Sequence, residues 1–313
     1  MPERLSPLLL AVVAACATAR PDPACPDAGA PYGAPALAKG DILHVATGRR
    51  MTVDEALDWL ASFPVVYVGE SHDSADDHAV QLRVLGGLMA RGQGPVALGI
   101  EMLPRTRQAD LDAWLGGRMD DAAFEAVWRE SFGDTWVYYR DLLAVAKAHG
   151  LRVIALNAER PLVKAVRQAP VSELAPEIAA SVPELDLDDP WHRALLEAYF
   201  AGHVDAGSLE GFYRAQVLWD ETMADTAARF LAGKGSRLLI LAGGMHVRWG
   251  VGIPRRLFRR VPVPYAIVEP YPVEISEERK AQLMDVTLPA MPMRAADLLW
   301  AVGYSGLPEP AAP

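Results

Sequence analysis

Apolar and polar residues follow one another along this chain in two rhythms. Short runs of four to six apolar residues, partly β-branched and bounded by glycine, occur at Val65–Val68, Val96–Ile100 and Leu238–Ala242. Such runs predict strands buried on both faces, as in a parallel sheet. Between them the spacing is helical. Thr52-Val-Asp-Glu55 has the capping-box pattern and predicts a helix to about Ser62. Val80, Val84, Leu85 and Leu88 share one face of a helix predicted over 73–91. A helical region carrying Leu111, Trp114, Phe124 and Trp128 breaks at Gly116-Gly117 and at Gly133. A helix over Tyr138–His149 then leads into a strand over Arg152–Asn157. The middle of the chain, 158–233, reads as helical, with prolines in its first half and its strongest pattern over Phe212–Leu231. Further strands are predicted at Arg237–Gly243 and Tyr265–Val268. The β, α, β, α, β order predicts an α/β fold: a mostly parallel central sheet with helices on both faces and a helical insertion in the middle of the chain.

Composition narrows the setting. With 313 residues, 51% of them hydrophobic, the chain has material for one large α/β domain or two small ones. A net charge of −10 and the lack of a long basic run exclude a nucleic-acid partner. No apolar run after the N-terminus predicts an internal membrane-spanning helix. The N-terminus itself reads as an address. Arg4 is followed by an apolar stretch, Leu5–Ala15, and Val13-Ala-Ala-Cys16 resembles the lipobox of bacterial lipoproteins. That resemblance implies cleavage before Cys16 and its acylation, hence a membrane contact through a lipid anchor. Ala17 in place of Asp points to the outer membrane, with the domain facing the periplasm. Residues 1–15 are then a signal peptide, 16–39 a flexible tether rich in Pro and Ala, 40–303 the folded domain and 304–313 a frayed tail. Cys25 is the one other cysteine, so no disulfide framework and no cysteine zinc site is possible beside an acylated Cys16.

The candidate chemistry lies where the apolar runs end. In an open α/β sheet, ligands sit beyond the carboxyl ends of the strands. Glu70, His72, Glu101 and His246 all fall there. A Glu and a His two residues apart suit acid–base work, since a carboxylate orients an imidazole and raises its pKa, and the same pair suits metal ligation. The alternative is a strand-to-helix turn with Ser71 or Asp73 as a helix cap. Glu101, ending an apolar strand, needs a partner when buried, and Arg105, Arg107 and Arg140 are candidates. Gly243-Gly-Met-His246 places a histidine on a turn where backbone can approach a ligand closely. Asp76, Asp77 and His78 read as solvated at a helix start, His149 as a helix-end residue, and His192 and His203 as surface positions.

Four segments carry a resemblance: Val65–His72, Gly99–Glu101, Tyr213–Ala224 and Ala242–Arg255. In order and spacing they resemble the ChaN-like haem-binding uptake family, within the wider Tiki/TraB/erythromycin-esterase group. The resemblance implies an α/β fold, a lipoprotein anchor and a role in haem or iron acquisition, with haem as cofactor and partner and a homodimer as a possible assembly. Haem needs an apolar slot, an axial ligand and cations for its propionates. Tyr213, Trp219 and His246 are candidates for ligand and walls, with a Tyr213 phenolate as one axial ligand to consider. Arg248 or Arg214 would hold the propionates. Met245, inside the glycine turn, is either a soft ligand or core filler. The wider group also implies an alternative, a hydrolase in which Glu70, His72, Glu101 and His246 bind a divalent metal, with Glu70, His72 and His246 as its ligands, or activate water, one imidazole acting as base with Glu70 or Glu101 orienting it. No HExxH helix or GxSxG elbow accompanies it. A scaffold lipoprotein with a purely structural rim is the third reading.

Overall fold

Strand residues alternate between two layers of helices, and that alternation organises the molecule. The computed structural model describes residues 36–91, 94–200, 204–233, 236–282 and 288–304. Cys16, Cys25, the signal peptide, nearly all of the tether, His203 and the tail after Tyr304 lie outside the described residues. The strands are β1 (Ile42–His44), β2 (Arg49–Met51), β3 (Val65–Val68), β4 (Val96–Pro104), β5 (Val153–Asn157), β6 (Arg237–Leu241), β7 (Tyr265–Ile275) and β8 (Leu298–Tyr304). They form one eight-stranded sheet in the order β2-β1-β8-β7-β3-β6-β4-β5.

The helices are α1 (Val53–Ala61), α2 (Ala75–Ala90), α3 (Gln108–Leu115), α4 (Asp121–Phe132), α5 (Trp136–Ala148), α6 (Arg160–Gln168), α7 (Pro176–Ala179), α8 (Pro190–Phe200), α9 (Ala206–Gly233), α10 (Gly244–Val247), α11 (Ile253–Arg260) and α12 (Glu277–Gln282). Val66, Val68, Leu98, Ile100, Leu239 and Leu241 face one layer, where they pack with α1, α2, α4 and α5. Val65, Tyr67, Ala97, Leu238 and Ile240 face the other, against Met223, Ala224 and Ala227 of α9 and Ile253 and Leu257 of α11. The capping box at Thr52 forms as its sequence predicts, with Thr52 and Glu55 each satisfying the other's backbone.

The sheet is mixed, which corrects the mostly parallel sheet predicted above. β8-β7-β3-β6-β4-β5 run parallel, whereas β1 pairs antiparallel with both β2 and β8. β1 and β2 have three residues each, too few for any periodicity to show in sequence. β8 lies beyond a Pro- and Met-containing stretch, and β7 continues through Pro270 and Pro272, where the sequence signal for a strand ends. The helical insertion is as expected, α6 to α9, with α9 at 28 residues its main span.

β5 is an edge strand, and its free backbone is covered by one side chain. The Gln108 amide donates to the Val153 carbonyl at 2.9 Å and accepts from the Ala155 N–H at 2.8 Å. It thus imitates one residue of a ninth strand and blunts an edge open to intermolecular pairing. Gln108→Ala is expected to destabilise the fold by about 1–3 kcal/mol, the cost of unpaired backbone groups. A lower urea midpoint at constant m-value checks this, and an unchanged midpoint refutes the edge-cap role.

Candidate functional site

Three neighbouring parallel strands carry the rim residues. Val68 lies beside Leu241, and Ile100 also lies beside Leu241, so β3, β6 and β4 end level with one another. The Gly244 N–H donates to the Glu70 carbonyl at 2.9 Å, and the Gly243 N–H donates to Glu101 Oε2 at 2.6 Å. The turn after β6 therefore ties the other two strand ends together. A Cβ at Gly243 would stand 3.1 Å from the His72 ring, close enough that the ring would have to shift by a few tenths of an ångström. β4 continues past its predicted end at Glu101 to Pro104. Its pairing with β5 slips between Ile100 and Pro104, a strand irregularity of the kind that re-aims side chains beside functional sites.

Glu70 is buried, and each of its oxygens has a donor. His72 Nδ1 lies 2.6 Å from Oε1, which also accepts from the Tyr139 hydroxyl, and Gln81 Nε2 donates to Oε2. The His72 ring is thereby oriented, with 40% of the side chain exposed and its Nε2 4.0 Å from Glu101 Oε1, beyond hydrogen-bond reach. The helix-cap reading of this turn also holds in part, with the cap at Ser74 rather than Ser71 or Asp73. Asp77 and His78, expected to be solvated, are buried instead. Asp77 accepts from the Ser71 N–H at 2.7 Å, and His78 reaches Gln81 at 2.9 Å and the His72 carbonyl at 3.2 Å. Both are drawn inward because the turn's polar backbone has to be satisfied away from water.

His246 is held from two sides. Its Nδ1 lies 2.6 Å from Asp220 Oδ1, with Gln216 Nε2 at 3.0 Å, and its Nε2 lies 3.3 Å from Glu101 Oε1. Gln216, Trp219 and Asp220 stand at i, i+3 and i+4 on α9, one helical face aimed at the rim. Behind Asp220 lies His192, fully buried rather than on the surface as the sequence suggested. Arg256 can only donate, so His192 Nδ1, 3.0 Å from its guanidinium, accepts; Nε2 then carries the proton towards Asp220 Oδ2 at 3.2 Å. Arg256 is itself paired with Glu221 at 3.2 Å.

These contacts set the charges. Burial opposes ionisation of His246, but Glu101 and Asp220 overcome it and raise the imidazolium to about 10. Burial likewise disfavours the His72 cation, and the Glu70 hydrogen bond with the Glu101 charge raises it to about 9. Against the upward push of burial, His246 and His72 hold Glu101 down to about 2. Asp220 also falls, through His246 and His192. Glu70 falls through His72 despite complete burial.

The rim opens into a cavity of about 760 Å³. Met102, Pro104, Phe132, Pro161 and Trp219 give it apolar walls, while His72, Glu101 and His246 form its floor. The Phe132 ring stands edge-on to His72 at 4.9 Å between centroids. Arg107 and Arg160 belong to the lining together with Glu130 and Glu159.

Several predicted site residues are elsewhere. Tyr213 is buried among Leu196 and Val217, and its hydroxyl donates to the Leu187 carbonyl at 3.1 Å. It does not line the cavity. Arg248 is buried in a pair with Glu269 at 2.5 Å, and Arg214 donates to the carbonyls of Val166 and Arg167. Neither is placed to meet a propionate in this cavity. Met245 packs with apolar neighbours as core filler. Among the described residues Glu101 takes no arginine partner: Arg105 meets Glu159 and Asp225, Arg107 meets Asp110 and Glu130, and Arg140 meets Asp141. Among the described residues, no group of three or more His, Cys, Asp or Glu side chains is placed to hold a metal ion. Of the metal set expected from sequence, Glu70 is engaged by His72, Tyr139 and Gln81, and His246 by Asp220 and Glu101. Sequence reasoning missed Asp220, Gln216, Tyr139 and Arg256. The Asp220-Glu221-Thr222 run inside an otherwise apolar helix was the available signal.

The same shifts predict how stability follows pH. Glu101 and Asp220 are depressed, so their contribution is present above their ordinary 4.5 and 3.8 and is lost as pH falls towards 2. His246 is raised, so its contribution is full below its ordinary 6.5 and is lost as pH rises through about 10. Melting temperature against pH is expected to fall at both ends, and Asp220→Asn to flatten the alkaline limb. An alkaline limb unchanged in that variant would refute the Asp220–His246 coupling.

Comparison with known proteins follows the geometry. A protein from Arabidopsis thaliana, RETICULATA-RELATED 5, chloroplastic, is 23% identical over 261 residues, covering 75% of this chain and 34% of its own length. This chain thus spans about a third of that curated relative. The structure of ChaN of Campylobacter jejuni, described as showing cofacial haem binding, is similar at a TM-score of 0.62 and 16% identity, over 85% of this chain and 97% of that one. This likeness shows a shared fold. The family model described as haem-binding uptake, Tiki superfamily, ChaN matches residues 56–257, well over half of the sequence, and the chain belongs to that family.

Proposed function

We propose that this protein is a haem-binding lipoprotein of the bacterial cell envelope, acting in haem or iron acquisition, and that it takes haem into the rim cavity with His72 Nε2 on the iron. The observation that carries the reading is the asymmetry of the two imidazoles. His246 spends both nitrogens on carboxylates. His72 has Nδ1 fixed by Glu70 and an Nε2 without a hydrogen-bond partner, facing a cavity walled by Phe132, Trp219 and Met102. A carboxylate behind an imidazole is the usual support of a metal-bound histidine. Arg160 in the lining would be a cation for a propionate, whereas Arg107 there is engaged by Asp110 and Glu130. Haem, when bound, would supply an iron centre, and His72, oriented through Nδ1 by Glu70, would hold it through Nε2 in the neutral form of the ring. The likeness to a protein described by cofacial haem binding supports the reading, as does the resemblance of Val13–Cys16 to a lipobox.

The hydrolytic alternative, with Glu70, His72, Glu101 and His246 as its rim, needs an imidazole free to act as a base on water. His246, clamped as a cation, has no lone pair for water, and His72 at about 9 is protonated at neutral pH. Binding is the better use of this geometry.

Two outcomes are expected. Titration of haemin should give a saturable Soret shift, weakened at least about tenfold by His72→Ala and unaltered in spectrum by Tyr213→Phe, since the Tyr213 hydroxyl is tied to Leu187. A Tyr213→Phe variant that loses the wild-type spectrum while His72→Ala keeps it would overturn the assignment. In a bacterial host, Cys16→Ser should move the protein from the membrane to the soluble fraction and abolish labelling by a palmitate analogue; retention at the membrane would refute the anchor.

A further inference from the structure

The turn that carries His72 is gripped from outside as well as from within. Asp73, which the sequence offers as a helix cap, is not used as one, since Ser74 caps α2. Its carboxylate turns instead to the far end of the chain. Oδ2 accepts from Arg279 Nη1 of α12, and Oδ1 accepts from the Tyr304 hydroxyl, at the end of β8, at 2.9 Å. Arg279 Nη2 also donates to the Asp73 main-chain carbonyl at 3.1 Å, and its guanidinium lies over the Tyr304 ring at 5.0 Å. The sheet explains how residues so far apart in sequence meet. β3 pairs with β7 only as far as Val68 and Val268, but β7 continues to Ile275, which lies beside Tyr304 of β8. The β7–β8 ribbon therefore projects past the end of β3 and stands as a wall against the turn.

Resting on the haem reading above, we propose that Arg279 and Tyr304 are positioning residues that act through Asp73 to set where His72 Nε2 stands in the cavity. Glu70 fixes the rotation of the His72 ring through Nδ1, but it does not fix the backbone from which the ring springs. That backbone is held from two sides. His78 Nε2, on α2, lies 3.2 Å from the His72 carbonyl, and Arg279, on α12, takes the next carbonyl along. The ion pair as such contributes little, since the Asp73 side chain is 47% exposed. The value of the grip is geometric. One planar guanidinium, 13% exposed, brackets the side chain and the main chain of a single residue, and it can do so only with the turn in this place. Both clamp residues lie outside 56–257, the span that the family model matches. The ribbon of β7 and β8 with α12 is then part of the site rather than an extension of the sheet.

The full chain, labelled with nitrogen-15 histidine, gives a first readout without haem. The His72 ring signals, assigned by their loss in His72→Ala, should move in Arg279→Ala and in the milder Tyr304→Phe, while rings away from this turn keep theirs. Haemin is then titrated and followed by the Soret band. Arg279→Ala is expected to weaken binding at least about threefold and to displace the Soret maximum, as loss of support behind a metal-bound histidine does. In a His72→Ala background the same substitution should add no further loss, because the two residues act through one bond. Ring signals and affinity unchanged in both clamp variants overturn the positioning role. So does an equal loss with and without His72, which would make the clamp a support of the fold alone. No saturable Soret shift in the wild type overturns the haem reading itself, a separate result that leaves the ring signals to report whether the clamp holds His72.

Discussion

An ionised Glu101 buried at the ends of three parallel strands is the condition on which the rest of the site depends. A carboxylate withdrawn from water has to be paired or it neutralises. Here one oxygen takes the Gly243 N–H and the other faces His246. The first contact fixes the turn after β6 and brings its backbone so near His72 that a Cβ there would shift the ring. The second makes His246 a cation, which needs Asp220, which in turn needs His192 and Arg256. A line of compensation thus runs from the sheet through α9 to α11, and each member lies where its predecessor's unpaired atom requires it.

That line explains why α9 is both core and site. Val217, Leu218, Met223 and Ala224 on this helix pack into apolar clusters, while Gln216, Trp219 and Asp220 turn towards the rim. Packing α9 against the sheet and against α6 and α11 sets the distance at which Asp220 meets His246. The precision of the polar contacts therefore comes from apolar burial, which is stiff at protein packing density. The rest of the cavity wall comes from the end of α4 and the turn into α6, which close over the ends of β4 and β5.

The strand ends were legible in sequence because each apolar run stops abruptly at an ionisable residue. Glu70, His72, Glu101 and His246 do converge, and their order along the chain was enough to place them on one rim. Asp220 and His192 were not legible, since helical periodicity marks which residues are buried but not which partner they meet. Tyr213 shows the same limit from the other side. It lies seven residues before Asp220 on the same helix, yet its ring packs beside Val217 and under Arg193 rather than in the cavity. Which face of α9 meets the rim is decided by its packing on three other elements. The antiparallel edge was hidden for a different reason: three-residue strands have no period to read. Pro270 and Pro272, which should have stopped β7, are accommodated near a register shift against β8.

The two imidazoles look equivalent in sequence and are opposite in structure. Each follows a strand, and each has a carboxylate on Nδ1. The difference lies at Nε2, where Glu101 stands 3.3 Å from His246 and 4.0 Å from His72. The shorter contact converts one ring into a permanent counter-ion, while the longer one leaves the other ring an unshared nitrogen towards the cavity. A symmetric pair would have bridged a metal ion or shared a water. The asymmetric pair instead presents a single donor on a charged floor, with flat apolar walls around it. Such a floor suits a large planar ligand held by one central atom, and the same carboxylate that engages His246 would place negative charge beside the bond proposed for His72.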